Sequence, residues 1–263
     1  MSNNPRSVEQ YLAELQSEIQ QLQEPLLQQI VSRFVSQVDV LTGLADYLAG
    51  LVEMPQLTRA ELAELLLEQY HSHAPLLEQL VADSAAYIDR DPACQRWVEP
   101  LLFFKGFQAL QLHRVAHRFY CAGRCDLAAL LQSRCSEVFS VDIHPAAQIG
   151  QGIMLDHATG LVIGETAVVG DNVSMLHGVT LGGSGRSSGD RHPKVGSGVL
   201  IAAGAQLLGN IHIGDGAKIG AGSLVLEDVA AHTTVAGVPA RRVGIPQASA
   251  PALSMDQRLE GEV

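Results

Sequence analysis

From Ile143 onward aliphatic side chains recur at every sixth position, at Ile149, Leu155, Leu161, Val173 and Val179, then at Val195, Ile201, Leu207, Ile213, Ile219 and Val225, with Ala167 the one break. A helix repeats near 3.6 residues and a strand near 2, so a period of six fits neither one long helix nor a set of unrelated strands. It is the signature of a parallel β-helix, in which each repeat is a short strand plus a turn and three repeats close a triangular coil. The position four after the aliphatic is small or β-branched at Thr159, Ala205, Ala217, Ser223 and Val229, as the corners of a narrow prism require. Glycines at 150, 152, 160, 164, 170, 214, 216, 220 and 222 suit turns with positive φ.

Between Val179 and Val195 the register jumps by sixteen residues, one repeat plus ten. A loop over 180–194 is therefore expected to leave the prism. It is rich in glycine and serine and ends in the charged cluster Asp190, Arg191, His192 and Lys194. A polar insertion that stacking does not need points to function.

Before the solenoid the period is helical. Tyr11, Leu12, Leu15, Ile19 and Leu22 form one apolar stripe, closed by Pro25. Further helices are expected from Leu26 to about Ser36, through Val40 to Leu51, after a capping box of Thr58 and Glu61, over Leu76–Ile88, and from Leu101 to Tyr120, with Asp126 capping a last one. The Asp91-Pro92 pair marks a boundary, where Asp91 is suited to cap a helix start. His113, His117, Cys121 and Cys125 are spaced four apart, but successive steps drift round a helix and Gly123 breaks the run, so packing and not zinc explains them. These patterns divide the chain into a helical region (1–138), a solenoid (139–246) and a polar tail (247–263) that reads as mobile.

The 263 residues suffice for a solenoid plus one more domain. A formal charge of -11 with no Lys/Arg run argues against nucleic acid and anionic membrane surfaces as partners. No apolar run approaches the roughly 18 residues of a membrane span and no basic leader precedes one, which reads as a cytoplasmic protein. The four cysteines, Cys94, Cys121, Cys125 and Cys135, all precede the solenoid and read as buried, reduced thiols.

Two solenoid segments concentrate groups that a structural prism does not need: Val141-Asp142-Ile143-His144-Pro145 and Leu155-Asp156-His157-Ala158-Thr159-Gly160. With coils of about eighteen residues, Asp142 falls three residues from directly beneath His157, within reach across a spacing of roughly 4.8 Å. An imidazole oriented by a carboxylate is the arrangement of a general base. No role is evident for Glu165 or His177, and His144 fits the capping of a corner.

The segments DIHPAAQIGQGIMLDHATG, GDRHPKVGSGVLIAAGAQLLGNI and HTTVAGVPARRVG, with RDPA and LLFFKGFQALQLHRVAHR before them, resemble the serine O-acetyltransferases of cysteine synthesis. The pairing of LDHATG with GDRHPK carries most of that likeness. The resemblance implies an α+β chain: an all-α bundle, a left-handed parallel β-helix and a flexible C-terminal tail. It implies acetyl transfer from acetyl-CoA to the hydroxyl of L-serine, with no metal. His157 would take the hydroxyl proton, and Asp142 would hold the imidazolium. Asp91 and Asp156 would meet the serine amino group, Arg191 its carboxylate, and His192 would line the pocket. Coenzyme contacts would fall near Gly183, Ala203 and Ala221, with Lys218 and Arg241 by the phosphates. Cysteine would inhibit, the assembly would be a homotrimer pairing into a dimer of trimers with sites shared between copies, and the tail ending at Val263 would dock into O-acetylserine sulfhydrylase.

Three other readings remain at this stage. One is a hexapeptide acetyltransferase acting on another hydroxyl. Another is a zinc lyase of the γ carbonic-anhydrase type, which uses the same solenoid and histidines between subunits, with His157, His177 and His192 as ligands. The last is a purely structural trimeric scaffold.

Overall fold

The computed structural model describes residues 7–259 apart from 36, 38, 56, 186 and 187. The expected docking residue Val263 lies outside that range. Two compact units divide at Phe104/Lys105.

The first unit is helical: α1 (Val8–Gln20), a 3₁₀ turn at Pro25–Leu27, α2 (Gln28–Val35), α3 (Val40–Val52), α4 (Arg59–Ser72), α5 (Ala74–Arg90) and α6 (Val98–Phe103). Thr58 and Glu61 form the expected capping box of α4, and Asp39 caps α3 by accepting from Thr42 N. Tyr11, Leu15, Leu44, Leu48, Leu62, Leu66 and Leu80 are fully buried, each on the apolar stripe of its helix. Asp91 follows α5 and does not cap a helix start. Its Oδ1 accepts from Ala93 N at 2.9 Å, a local turn that Asp favours.

The second unit opens with α7 (Lys105–Cys121) and α8 (Cys125–Phe139), so these two helices belong with the solenoid. Polar side chains of α7 close its turns: Arg114 donates to the carbonyls of Ile149 and Gly150, and His117 Nδ1 donates to Pro145 O at 2.7 Å. Asp126 lies inside the first turn of α8 and does not cap it, since Arg124 holds the cap position. Cys94 and Cys135 are buried as expected, whereas Cys121 and Cys125, at the ends of α7 and α8 that meet in the turn, are exposed.

Three parallel sheets form the faces of the prism. The first contains β1 (Val141–Ile143), β4 (Leu161–Ile163), β7 (Thr180–Gly182), β10 (Gln206–Leu208) and β13 (Leu224–Val225). The second contains β2 (Gln148–Ile149), β5 (Val168–Val169), β8 (Lys194–Val195) and β11 (His212–Ile213). The third contains β3 (Met154–Leu155), β6 (Ser174–Met175), β9 (Leu200–Ile201), β12 (Lys218–Ile219) and β14 (Thr234–Gly237), and ends in the antiparallel β15 (Ala240–Gly244).

The period of six holds, but with a slip. Ile143 pairs with Ile163, so the first coil takes twenty residues where eighteen suffice between Lys194 and His212 or between Leu200 and Lys218. The two extra residues lie in the corner 156–160. Beyond it Ile163, Val169, Met175 and Leu181 continue the main aliphatic position, while Leu161, Ala167, Val173 and Val179 fill the companion position two residues earlier. Both positions point inward and are buried, which is why Ala167 fits. The coil holding the loop is then eight residues longer than the eighteen-residue norm, not ten, since Val168 pairs with Lys194.

The glycines divide into two kinds. Gly152, Gly160, Gly216 and Gly222 have positive φ, as expected. Gly150, Gly170 and Gly214 do not, and neither do Gly164 and Gly220. At Gly150, Gly170 and Gly214 a Cβ would come within 2.8 Å of backbone in the next coil, so close stacking excludes a side chain there.

The tail departs from the mobile segment expected of its composition. Residues 247–259 turn back over the third sheet through α9 (Pro251–Ser254), with Pro251 and Ala252 buried. Ser174 Oγ donates to Ala252 O at 3.0 Å, Ala252 N to Gly198 O, and Lys218 Nζ to Arg258 O. Among the described residues no helix is long and apolar enough to cross a membrane.

His113 of α7 is buried, and its Nδ1 has no hydrogen-bond partner among the described residues. Burial pushes its pKa down to about 3 from 6.5, so the folded chain holds it neutral. The unfolded chain binds the proton first as pH falls, so the stability it contributes is intact above 6.5 and is lost progressively toward 3. Between pH 7 and 5 that loss is about 2 kcal/mol. Urea unfolding at both values should show a drop in the native chain that is about 2 kcal/mol smaller in His113→Met. An equal drop in both would sink the assignment.

Candidate active site

The corner made by the two extra residues is the most distorted in the solenoid. His157 and Ala158 both have φ of 56°, a region that costs non-glycine residues about 1–3 kcal/mol and concentrates at functional sites. Local hydrogen bonds hold it: Ala158 N donates to Asp156 O, Thr159 N to His157 O, and Lys105 Nζ to Thr159 Oγ1 at 2.6 Å. Gly106 of α7 backs the corner so closely that a Cβ would stand 2.1 Å from Leu155 O. The result is an imidazole thrust outward, its side chain 74% exposed. Asp156 Oδ1 lies 3.8 Å from its Nε2, and the His177 ring of the next coil stands edge-on with centroids 6.0 Å apart. Ala203 and Ala221 occupy the same corner in the two coils after that, where Ala203 O accepts from Gly222 N.

A second cluster stands at the other end of β4, a strand of about 10 Å. Thr166 organises it. Its Oγ1 accepts from Arg191 N at 3.0 Å and from His192 N at 3.1 Å, its amide donates to His192 Nδ1, and its carbonyl accepts from Lys194 Nζ. The loop is thereby pinned back onto the prism. Because Nδ1 accepts, His192 carries its proton on Nε2 and is neutral. Burial, followed by the Arg191 charge, lowers its pKa in the same sense. Arg191 Nη2 donates to Glu165 at 2.5 Å, and that bond holds the Glu165 carboxyl below its usual range. His144 is lowered by burial, against the opposing pull of Glu165 and Asp142, and its Nδ1 accepts from Ala146 N, capping the corner as expected. Lys194, bonded to Asp190, holds that carboxyl low.

The expected residues thus form two groups. His157 and Asp156 share one corner with Ala203 and Ala221, while Arg191 and His192 share the other with Glu165. Asp142 does not lie near-beneath His157: the twenty-residue coil puts it beside Val162, where its Oδ1 accepts from Gln132 Nε2. Asp91 belongs to the first unit. Gly183 opens the loop, where a Cβ would touch the Arg191 side chain at 3.5 Å. Arg241 is exposed, but Lys218 is buried with its ammonium on the Arg258 carbonyl, a tail contact that composition did not suggest. Within one chain His157, His177 and His192 do not converge, and among the described residues no group of three suitable ligands exists. Thr166 and Gln132 were missed in the sequence, because a lone hydroxyl and a lone amide carry no motif.

Comparison with known proteins agrees with both halves. Residues 12–112 match the family described as serine acetyltransferase, N-terminal, and residues 192–227 match the bacterial transferase hexapeptide family. A serine acetyltransferase of Salmonella typhimurium is 51% identical over 220 residues, covering 84% of this chain and 81% of its own. Among solved structures, a serine acetyltransferase in complex with cysteine superposes with a TM-score of 0.92 at 44% identity, over 96% of this chain and 100% of the other. The Brucella abortus enzyme in complex with coenzyme A gives 0.87 at 45%, over 91% and 98%. The Neisseria gonorrhoeae enzyme in complex with serine gives 0.85 at 48%, over 89% and 97%. With an exposed imidazole on a strained solenoid corner and likenesses that span both units, the chain belongs to the serine acetyltransferase family.

Proposed function

We propose that this chain transfers the acetyl group of acetyl-CoA to the hydroxyl of L-serine, with His157 as general base. The observation that carries the reading is the His157 corner, an outward imidazole on a column that passes His177 and continues through the small corner residues Ala203 and Ala221, along which an extended coenzyme would lie. As the serine oxygen attacks the thioester carbonyl, His157 takes its proton. The tetrahedral intermediate then expels the coenzyme thiolate, which takes the proton back from the imidazolium. A hydroxyl is far too weak an acid to ionise near neutral pH unaided, so a base is required.

A zwitterion needs both signs of charge beside it. Asp156 stands next to His157 and suits the amino group, and Arg191, whose fork matches a carboxylate, suits the other end. Asp91 is the proposed second amino ligand, on the resemblance alone. Since Arg191 and His157 are separated by β4 within one chain, the site is shared: the loop cluster of one copy completes the His157 corner of another, as in a closed trimer. The Asp142 partner of the imidazole comes across the same boundary. Pairing of trimers, and docking of the C-terminal Val263 into O-acetylserine sulfhydrylase, follow from the resemblance.

Solved relatives carry coenzyme A, serine and cysteine in their complexes, which supports the same ligands here. Cysteine differs from serine by sulfur for oxygen, so it would occupy the serine contacts and act as a feedback inhibitor. The deciding experiment is thiol release from acetyl-CoA with serine, homoserine, a galactoside or chloramphenicol as acceptor. Serine should be preferred, and added cysteine should raise the apparent KM for serine. Preference for another acceptor would refute the substrate, and release without any acceptor would mark simple hydrolysis.

A further inference from the structure

The side of β1 that faces away from the prism packs against α8, and that helix supplies a hydrogen bond to the Asp142 carboxylate. Val141 and Ile143 point into the solenoid core, so Asp142 between them points out. Leu131 and Cys135 bury the inner stripe of α8, while Gln132 sits half-buried at its edge, between an internal cavity shared with His113 and the surface depression that holds Asp142. Its Nε2 donates to Asp142 Oδ1 at 2.7 Å. Among the described residues this is the only hydrogen bond to that carboxylate.

We infer that Gln132 is a positioning residue for the reaction: its amide fixes Asp142 Oδ1 so that Oδ2 is presented to the catalytic imidazole. The inference rests on the proposed role of Asp142. An ionised carboxylate only accepts, so the amide nitrogen must face it and the orientation of Gln132 is determined by its partner. The donor is neutral. It fixes the carboxylate without cancelling the charge that the imidazolium needs, whereas lysine or arginine in its place would compete for that charge. The surroundings make such a tether necessary. Glu137 lines the same depression, His144 follows on the next corner, and Glu165 and Arg191 lie beyond His144. Without Gln132, a freely rotating Asp142 would turn away from Glu137 and toward His144 and the Arg191 charge beyond it. Gln132 lies on α8, outside every hexapeptide repeat.

The test uses the full chain. Gln132→Leu and Gln132→Met remove the donor, and the methionine keeps the length and packing. Each should lower kcat about 10-fold with the KM for serine and for acetyl-CoA within about twofold. In an Asp142→Asn background, where the carboxylate is already lost, Gln132→Met should have no further effect. A merely structural glutamine would instead add its loss to that background and lower the melting temperature in proportion. The inference is overturned if Gln132→Met keeps native kcat while Asp142→Asn loses it, if the two losses multiply, or if both glutamine variants fail to fold. An Asp142→Asn variant with native kcat refutes the role of Asp142 itself, and the inference falls with it.

Discussion

Replacement of His157 should lower kcat by about 10² to 10⁴-fold, the contribution of a positioned general base. The size follows from the chemistry. A serine hydroxyl must shed its proton as it attacks, and His157 is the imidazole that the strained corner thrusts outward beside Asp156, on the column that runs past His177 to Ala203 and Ala221. Asparagine is a better replacement than alanine. His157 sits at φ 56°, which Asn tolerates more readily than other side-chain-bearing residues, so His157→Asn removes the base while keeping the corner. With its ring mostly in solvent, its loss leaves the core untouched. The measurement is kcat at saturating serine and acetyl-CoA, beside a thermal melt. Native kcat in a protein of native stability would remove His157 from the mechanism.

The second large effect is a recovery. His157→Asn and Arg191→Ala chains should each be nearly inactive alone, yet co-expressed chains that assemble together should regain activity. Each shared site takes its corner from one copy and its loop from another, so random mixing in a closed ring leaves about a quarter of sites with both native halves. Tagging the two chains differently and purifying through both tags isolates the mixed assemblies. Activity at the level of the single variants would show that each site is built from one chain, and the proposed sharing would fail.

The sequence exposed the architecture because a six-residue period is a direct imprint of three-faced coiling: every inward position repeats, so a short stretch predicts the next. It exposed His157, Arg191 and His192 because they stand where the pattern has no use for them. What it hid arises from positions that satisfy the pattern in two ways. Leu161 and Val173 look like continuations of Leu155, but both inward positions of a repeat accept an aliphatic, so a slip of two residues leaves no hydrophobic trace. The same slip misplaced Asp142 relative to His157. Thr166 and Gln132 act through single hydrogen bonds between elements that are distant in sequence, and the tail is polar yet docks through Ala252 and backbone carbonyls, contacts that composition does not record. The division at Lys105 was equally hidden, since α7 and α8 are helical by pattern and their attachment to the solenoid runs through Arg114, His117 and Gln132.

The hairpin of β14 and β15 has a consequence for how copies of the chain meet. A stack of parallel coils ends in unpaired strand edges, and an open end of that kind invites a second molecule to continue the stack, which is how fibres grow. Here the third sheet does not finish on a parallel strand. The chain reverses at Pro239, and β15 lies antiparallel on β14 with Arg241 and Arg242 exposed along it. A second solenoid adding to this face would meet a strand of the wrong polarity carrying two like charges. Head-to-tail stacking is thereby disfavoured on the third sheet, and the proposed sharing of one copy's corner with another's loop would call for association flank to flank instead.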